Sequence, residues 1–359
     1  MTEATAHTYP LAPKATPTHT GKAPKRGLWR VALLVGLALC LPLPTLAQNE
    51  THLVLTTGPL EGTFFPTGLG IATLAGLHLA PSDGITVSPV SSPSSLENIY
   101  RLRTRDADLA LTQGVAGLLA WNGRGPFQNR PQRHLRGVMV LWSDVVQVLL
   151  HGRYSADGDL RDLSHVRERS LAIGAPQTAN EMGALVLLEA LGYQPDVDFV
   201  LERLSPGRGV QALLEDRLSG VLVLSPIPNS HVTRAFERLG QSNLRLLGFS
   251  EPQMTQIRSV YPVWMPFEIP EDTYPNQPDS AFVAALPNLL LVHESVPDEV
   301  VYKLISTILA HAEMLGQISP NTLGLTLESA TNGMPLPFHP GAVEYYQREG
   351  VEIPESLLP

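Results

Sequence analysis

Short apolar runs rich in β-branched residues alternate along this chain with amphipathic stretches of helical period. The first unit is the clearest. Leu53 to Thr57 reads as a buried strand, Gly58-Pro59 stops it, and Gly62-Thr63 closes a short loop. A helical pattern then runs from about Pro66 to Leu79. The same reading predicts strands at Ile85–Val90, Ala107–Thr112 (ending at Gln113), Leu135–Leu141, Val145–His151, Leu171–Gly174 and Val221–Leu224. Helices are predicted at Ser94–Arg103, Val115–Trp121, Asn180–Leu191 (stopped by Gly192), Gly209–Leu218 and Asp298–Leu315. Strands alternating with helices predict an α/β class, a parallel sheet covered by helices. The strand–loop–helix units after Thr57 and after Gly174 suggest one ligand-facing loop in each of two domains. Backbone N–H groups and the positive end of the helix dipole make such loops favourable for an anion.

The N-terminus carries a different pattern. Residues 1–24 are polar and rich in Thr, Ala and Pro; Lys25 to Arg30 is basic, Val31 to Leu43 is apolar, and Pro44 to Gln48 contains small residues. That order predicts a secretory signal. The apolar run is shorter than the ~20 residues that span a bilayer, with an uncleaved anchor as the alternative. Cys40, the one cysteine of the sequence, follows Leu39 where a lipid-attachment site needs a small residue. Cleavage after Ala47 leaves a chain without thiol chemistry. It also removes five basic residues and one acidic residue, so the formal charge moves from −9 to −13, and Lys303 becomes the only lysine. An acidic chain with no basic stripe argues against nucleic acid or an anionic membrane as partner.

Common catalytic patterns are missing: the sequence has no G-x-S-x-G, no H-E-x-x-H and no P-loop. His78, His134, His151, His165, His231, His293, His311 and His339 show no metal-ligand spacing. Gly68-Leu69-Gly70 lies inside a helical pattern and lacks the third glycine of a dinucleotide fingerprint. No metal, cofactor or enzymatic activity is expected. The Gly58–Gly62 loop is either a ligand loop or a tight turn, and Phe64-Phe65 either packs on a ligand or joins the core. Ser95 sits in a helix start rich in hydroxyl caps. Gln113 ends an apolar strand, Asp144 marks a hinge or a turn, and Thr178 and Asn180 either cap the second-domain helix or bind.

At these residues the chain resembles the TAXI class of solute-binding proteins that serve tripartite TRAP transporters. The opening motif matches at Gly58, Gly62, Phe64, Phe65, Pro66 and Gly68. Further matches are Ser95 with Asn98, Asp108-Leu109-Ala110 with Gln113, Gly125-Pro126-Phe127, Pro228-Asn229, Ile269-Pro270 and Thr273-Tyr274. The tail Pro335–Ala342, with Tyr345, Tyr346 and Gly350, resembles the family's C-terminal signature. Departures fall where Gln177-Thr178-Ala179-Asn180-Glu181 replaces a glycine-bearing loop, where Gly114 replaces an aspartate, and where phenylalanines replace tyrosines in the opening motif.

The resemblance implies a type II periplasmic-binding-protein fold, two α/β domains joined by a hinge around a ligand cleft. One domain is expected from residues 51–141 and 263–359, the other from 142–262. It implies an extracytoplasmic monomer that captures a small carboxylate or amino acid and delivers it to TRAP membrane permease subunits. The expected contacts are Gly58, Gly62, Thr63, Phe64, Phe65, Ser95, Asn98 and Gln113 from one side, and Thr178, Asn180 and Glu181 from the other. Glu181 would favour an amino group. The alternatives are a sensory protein that presents its ligand to a receptor kinase and, more distantly, an exported hydrolase.

Overall fold

A computed structural model describes residues 50–60 and 62–359. The predicted leader and signal segment lie outside the described residues. Ten strands form one mixed sheet, in which β2 (Ile85–Val90), β1 (Thr51–Thr56), β3 (Leu109–Gln113), β10 (Ala281–His293), β4 (Leu135–His151), β7 (Gly220–Ser225), β5 (Ser170–Ala172) and β6 (Val200–Glu202) are neighbours in that order. Strand β8 (Leu244–Leu247) pairs with β4, and β9 (Met265–Ile269) pairs with β10. The pairings among β1, β2 and β3, and those of β5 with β6 and β7, are parallel. Every pairing of β4 or β10 is antiparallel. The sheet is therefore mixed rather than parallel.

Strands β4 and β10 organise the molecule. The segments 135–141 and 145–151, expected as separate strands, form a single strand of 17 residues that pairs with β10 from Val145↔Ala285 to Leu135↔His293. These two strands serve two hydrophobic cores in turn. Leu135–Trp142 and Leu289–Val292 pack with β1, β2, β3 and the helices that cover them. Val145–Leu150 and Val283–Leu286 pack with β5, β7 and theirs. The cores change over at Ser143-Asp144 and Pro287-Asn288, which face each other in the ladder as Ser143↔Pro287 and Trp142↔Asn288. Val263, Trp264 and Ile269 pack in the second core, although sequence placed 263–359 wholly in the first domain.

Helices cover both lobes: α1 (Phe64–Leu74), α2 (Ser95–Thr104), α3 (Gly114–Asn122), α4 (Ala179–Ala190), α5 (Pro206–Leu214), α6 (Ser230–Asn243), α7 (Glu251–Val260), α8 (Asp298–Ala310), α9 (Ala312–Ile318) and α10 (Pro340–Arg348). Helix α1 continues through a π-helical turn at Ala75–Leu79 to Asp83. Its apolar length is explained by packing: Ile71, Leu74, Ala75 and Leu79 are core residues. The predicted long helix near the C-terminus breaks at His311, whose backbone leaves the helical region. The C-terminal signature is scaffold. Gly137 donates to the Pro337 carbonyl at 2.8 Å, His339 donates back to Gly137 at 2.9 Å, and the Tyr346 hydroxyl donates to Val138 at 2.9 Å. These bonds tie α10 to β4.

Candidate functional site

A cavity of about 640 Å³ opens beside the crossover of β4 and β10. Its walls come from the carboxyl ends of parallel strands and the segments that leave them: Thr57–Pro59 and Gly62–Phe64 after β1, Ser94-Ser95 after β2, Thr178-Ala179 after β5, Ser205–Arg208 after β6, and Leu224-Ser225 at the end of β7 with Pro226 and Asn229 beyond it. Open α/β sheets place ligands at these strand ends because the connecting loops converge there while the strands stay rigid. Five helix starts reach the cavity, those of α1, α2, α4, α5 and α6. Three are capped by their own side chains. Ser94 accepts from Glu97 N, Thr178 from Glu181 N, and Asn229 from His231 N and Val232 N. The other two, at Thr63 before α1 and Ser205 before α5, make no side-chain cap. Their first-turn N–H groups, those of Phe64 and Phe65 in α1 and of Gly207 and Arg208 in α5 (Pro66 and Pro206 have none), keep part of the anion-binding capacity of an open helix end.

Of the residues expected from sequence, Gly58, Gly62, Thr63, Phe64, Ser95 and Thr178 line the cavity. Phe65, Asn98, Gln113, Asn180 and Glu181 are not among its lining residues. The two asparagines have a different task. The Asn98 amide donates to the carbonyls of Thr57 and Leu111 (2.7 Å to the latter) and accepts from the Thr56 hydroxyl at 2.6 Å. It fastens the end of β1 to β3. The Asn180 amide donates to Ile173 at 2.8 Å and Leu222 at 3.0 Å and accepts from Leu224 N at 2.7 Å. It fastens the end of β5 to β7. Each lobe thus has a buried asparagine in the first turns of a helix, satisfying backbone groups that the strand ends leave open.

Glu181 turns away. It accepts from Gln177 N at 2.6 Å and from Arg203 Nε at 2.8 Å, and it lines a neighbouring cavity with Met182, Tyr261 and Arg124. Ser95 accepts from Gln113 N at 3.1 Å, so it supports the end of β3 while facing the cavity. The replaced second-domain loop keeps one glycine that it needs. Gly174 has φ +115, and a Cβ there would lie 2.6 Å from Glu181 N. Gly114 is likewise required: an added Cβ would sit 2.7 Å from Pro287 Cγ and 2.9 Å from the Pro287 carbonyl. An aspartate at that position would collide with the crossover.

Sequence reasoning named none of Ser205, Arg208, Asn229 and His231 as ligand contacts, although it matched Pro228-Asn229 to the resembled family; all four line the cavity, as does Asp144, which it left undecided between a hinge and a turn. A Ser-Pro-Gly-Arg run ahead of a helical pattern was the available signal for the first two. Arg208 is exposed and has no ion-pair partner among the described residues. Asn229 is held from below: its N–H donates to the Tyr274 hydroxyl at 3.1 Å, and that hydroxyl donates to Gln147. Burial pushes the Tyr274 phenol up to about 12, so it stays a donor at any physiological pH. Phe64 stacks edge-on against Trp142, with ring centroids 5.5 Å apart, and the Trp142 indole donates to Asp144 at 3.2 Å. The first loop is thereby linked to the crossover.

Similarity to solved structures is distant in sequence. The periplasmic aliphatic sulphonate binding protein SsuA of Escherichia coli is 12% identical, with a TM-score of 0.43 over 83% of each chain. A TctC solute binding protein from Polaromonas, without ligand, is 13% identical, with a TM-score of 0.46 over 76% of this chain and 87% of that one. MatC from Rhodopseudomonas palustris, with bound malate, is 15% identical, with a TM-score of 0.44 over 76% of this chain and 89% of that one. The architecture is mixed α/β, with one sheet serving two hydrophobic cores. The model of the NMT1-like family matches residues 55–350, and the chain belongs to that family.

Proposed function

We propose that this chain is an extracytoplasmic solute-binding protein of the TAXI class, which captures a small organic anion or amino acid and delivers it to a TRAP permease. One observation carries the reading: two uncapped helix starts and the unpaired Arg208 converge on a cavity of small-molecule size between the two cores. In this reading the hinge lies where β4 and β10 change cores, at Trp142–Val145 and Leu286–Leu289, and residues 263–286 move with the second lobe. Closure is then a population shift, driven by the contacts a ligand makes with both lobes at once. The reaction is binding and release, with no bond made or broken.

The TAXI assignment draws on the opening glycine–aromatic motif, which lines the cavity at Gly58, Gly62 and Phe64. It also draws on the C-terminal signature that docks α10. Native mass spectrometry of the purified protein, followed by calorimetry with the species found, tests the reading. A co-purifying small anion or amino acid that raises the melting temperature supports it. Absence of any bound or stabilising small molecule, or turnover of an ester, amide or phosphate, overturns it.

A further inference from the structure

Polar side chains meet at the crossover of β4 and β10 without satisfying one another. Asn288 faces Gln113 on β3 and Trp142 on β4, and Asp144 is two residues beyond Trp142, on the same face of β4. Gln113 is 0% and Asn288 1% exposed. Among the described residues neither side-chain amide has a hydrogen-bond partner, on its oxygen or its nitrogen. This polar seam ends at Asp144, which is 7% exposed in the cavity wall. Its Oδ1 accepts from the Trp142 indole at 3.2 Å. The Asn288 amide lies close enough to favour the charged carboxylate, but without good hydrogen-bond geometry. No cationic side chain offsets the charge, and burial raises Asp144 from its ordinary 3.8 to about 6.

Buried amides without partners and a buried carboxylate without a cation are both costly. Internal water can satisfy the amides, but it brings no charge to the carboxylate. A cation does both: it compensates Asp144 and takes the free oxygens, Gln113 Oε1 and Asn288 Oδ1, as ligands. All three donors are hard oxygens, and together they carry one negative charge. A divalent ion would bury an excess positive charge, and a transition metal would want nitrogen or sulfur ligands. A monovalent alkali cation fits the set. Asp144 in the cavity wall supplies its path of entry.

We propose that the crossover binds a monovalent alkali cation, held by the Asp144 carboxylate, Asn288 Oδ1 and Gln113 Oε1. The ligands come from β4, β10 and β3, so the bound cation fastens together the strands that serve both cores. The site is separate from solute capture, and either can fail without the other. Spacing rules for histidines and carboxylates do not find it, because two of its three ligands are amides.

The test is a thermal melt of the purified protein at pH 7.5 in sodium, potassium, calcium or choline chloride at equal ionic strength. Sodium or potassium should raise the wild-type melting temperature by about 3–5 °C over choline, the gain expected from a ligand present at roughly 20 times its Kd. Sodium-23 NMR lines should broaden with the wild type and stay narrow with Asp144→Asn. In choline that variant should melt at or above the wild type, which excludes misfolding, and sodium should raise it by less than about 1 °C. Gln113→Met, which removes one oxygen at similar volume, should need at least tenfold more sodium for the same gain. Equal wild-type melts in sodium, potassium and choline overturn the proposal and leave the seam to water. An Asp144→Asn variant that gains as much from sodium as the wild type also overturns it, and so does a larger gain from calcium than from either alkali cation.

Discussion

Asn180 allows the sharpest separation of scaffold from ligand contact. Replacing it with Ala removes two donated hydrogen bonds, to the Ile173 and Leu222 carbonyls, and one accepted from Leu224 N. Asn180 is 7% exposed and its backbone partners lie at strand ends in the core, so water does not readily replace the lost bonds. A buried polar group stranded in this way costs about 1–3 kcal/mol, and a second carbonyl lone pair or local relaxation recovers part of it. Three groups together give a loss of roughly 3–4 kcal/mol, in the range where a point mutation has a nameable cause. For a domain of this size that is a fall in melting temperature of very roughly 6–12 °C.

Urea denaturation with both fluorescence and circular dichroism gives the free energy directly. Asn180→Asp is the informative companion, because its carboxylate can still accept from Leu224 N but cannot donate to either carbonyl. It should lose at least as much as Ala. Thr178→Val, which removes the cap on Glu181 N and the hydroxyl's bond to the Ala175 carbonyl, should cost about 1–2 kcal/mol. The reasoning is refuted if Asn180→Ala stays within 1 kcal/mol of wild type while ligand affinity drops tenfold or more. That result would make Asn180 a ligand contact.

Three more predictions concern the crossover and the far end of the sheet. Asp144 has a raised pKa in the folded protein, so the wild type binds this proton more tightly folded than unfolded, and its stability falls as pH rises from about 4 through 6. Asp144→Asn should therefore match wild type at pH 4 and exceed it by up to about 3 kcal/mol at pH 7.5, measured by denaturation at both pH values. His134, lowered by burial to about 4 with His293 adding repulsion, resists protonation in the fold, so stability is lost as pH falls from 6.5 toward 4. His134→Gln should flatten that slope by about 1–2 kcal/mol, allowing for partial exposure, and an unchanged pH profile would count against it. Gly114→Asp, which restores the residue common in the resembled family, should destabilise by at least about 2 kcal/mol through overlap with Pro287, read by thermal melt.

The opening unit was legible in sequence because its signals agree: a β-branched run, a Gly-Pro stop and a glycine-closed loop before a helical period. Its glycines and Phe64 do line the cavity. Strands β4 and β10 were hard to read for a physical reason. Both are buried on two faces for most of their length, so they lack alternation, and Ser143-Asp144 looked like a break when it marks a change of core within one strand. Ladder partners such as Trp142, Asn288 and Gln113 are far apart in sequence, so a polar seam built from them is visible only once the register is known. Asn98 and Asn180 were found by position, but sequence could not show that their amides turn inward to carbonyls. Arg208 and His231 follow short strand–helix turns whose periodicity is weak.

The central claim is that a solute binds in the cavity between the strand ends, and Thr63 offers the most direct test. It lines that cavity, is exposed, and its side chain makes no capping bond. Thr63→Trp places a large side chain in the cavity without touching the core. Calorimetric titration with the solute identified by mass spectrometry should show binding to the wild type and at least 100-fold weaker binding to the variant, while the ligand-free melting temperatures agree within a degree or two. Equal affinity for the two proteins would mean that the solute binds elsewhere, and the account would be wrong.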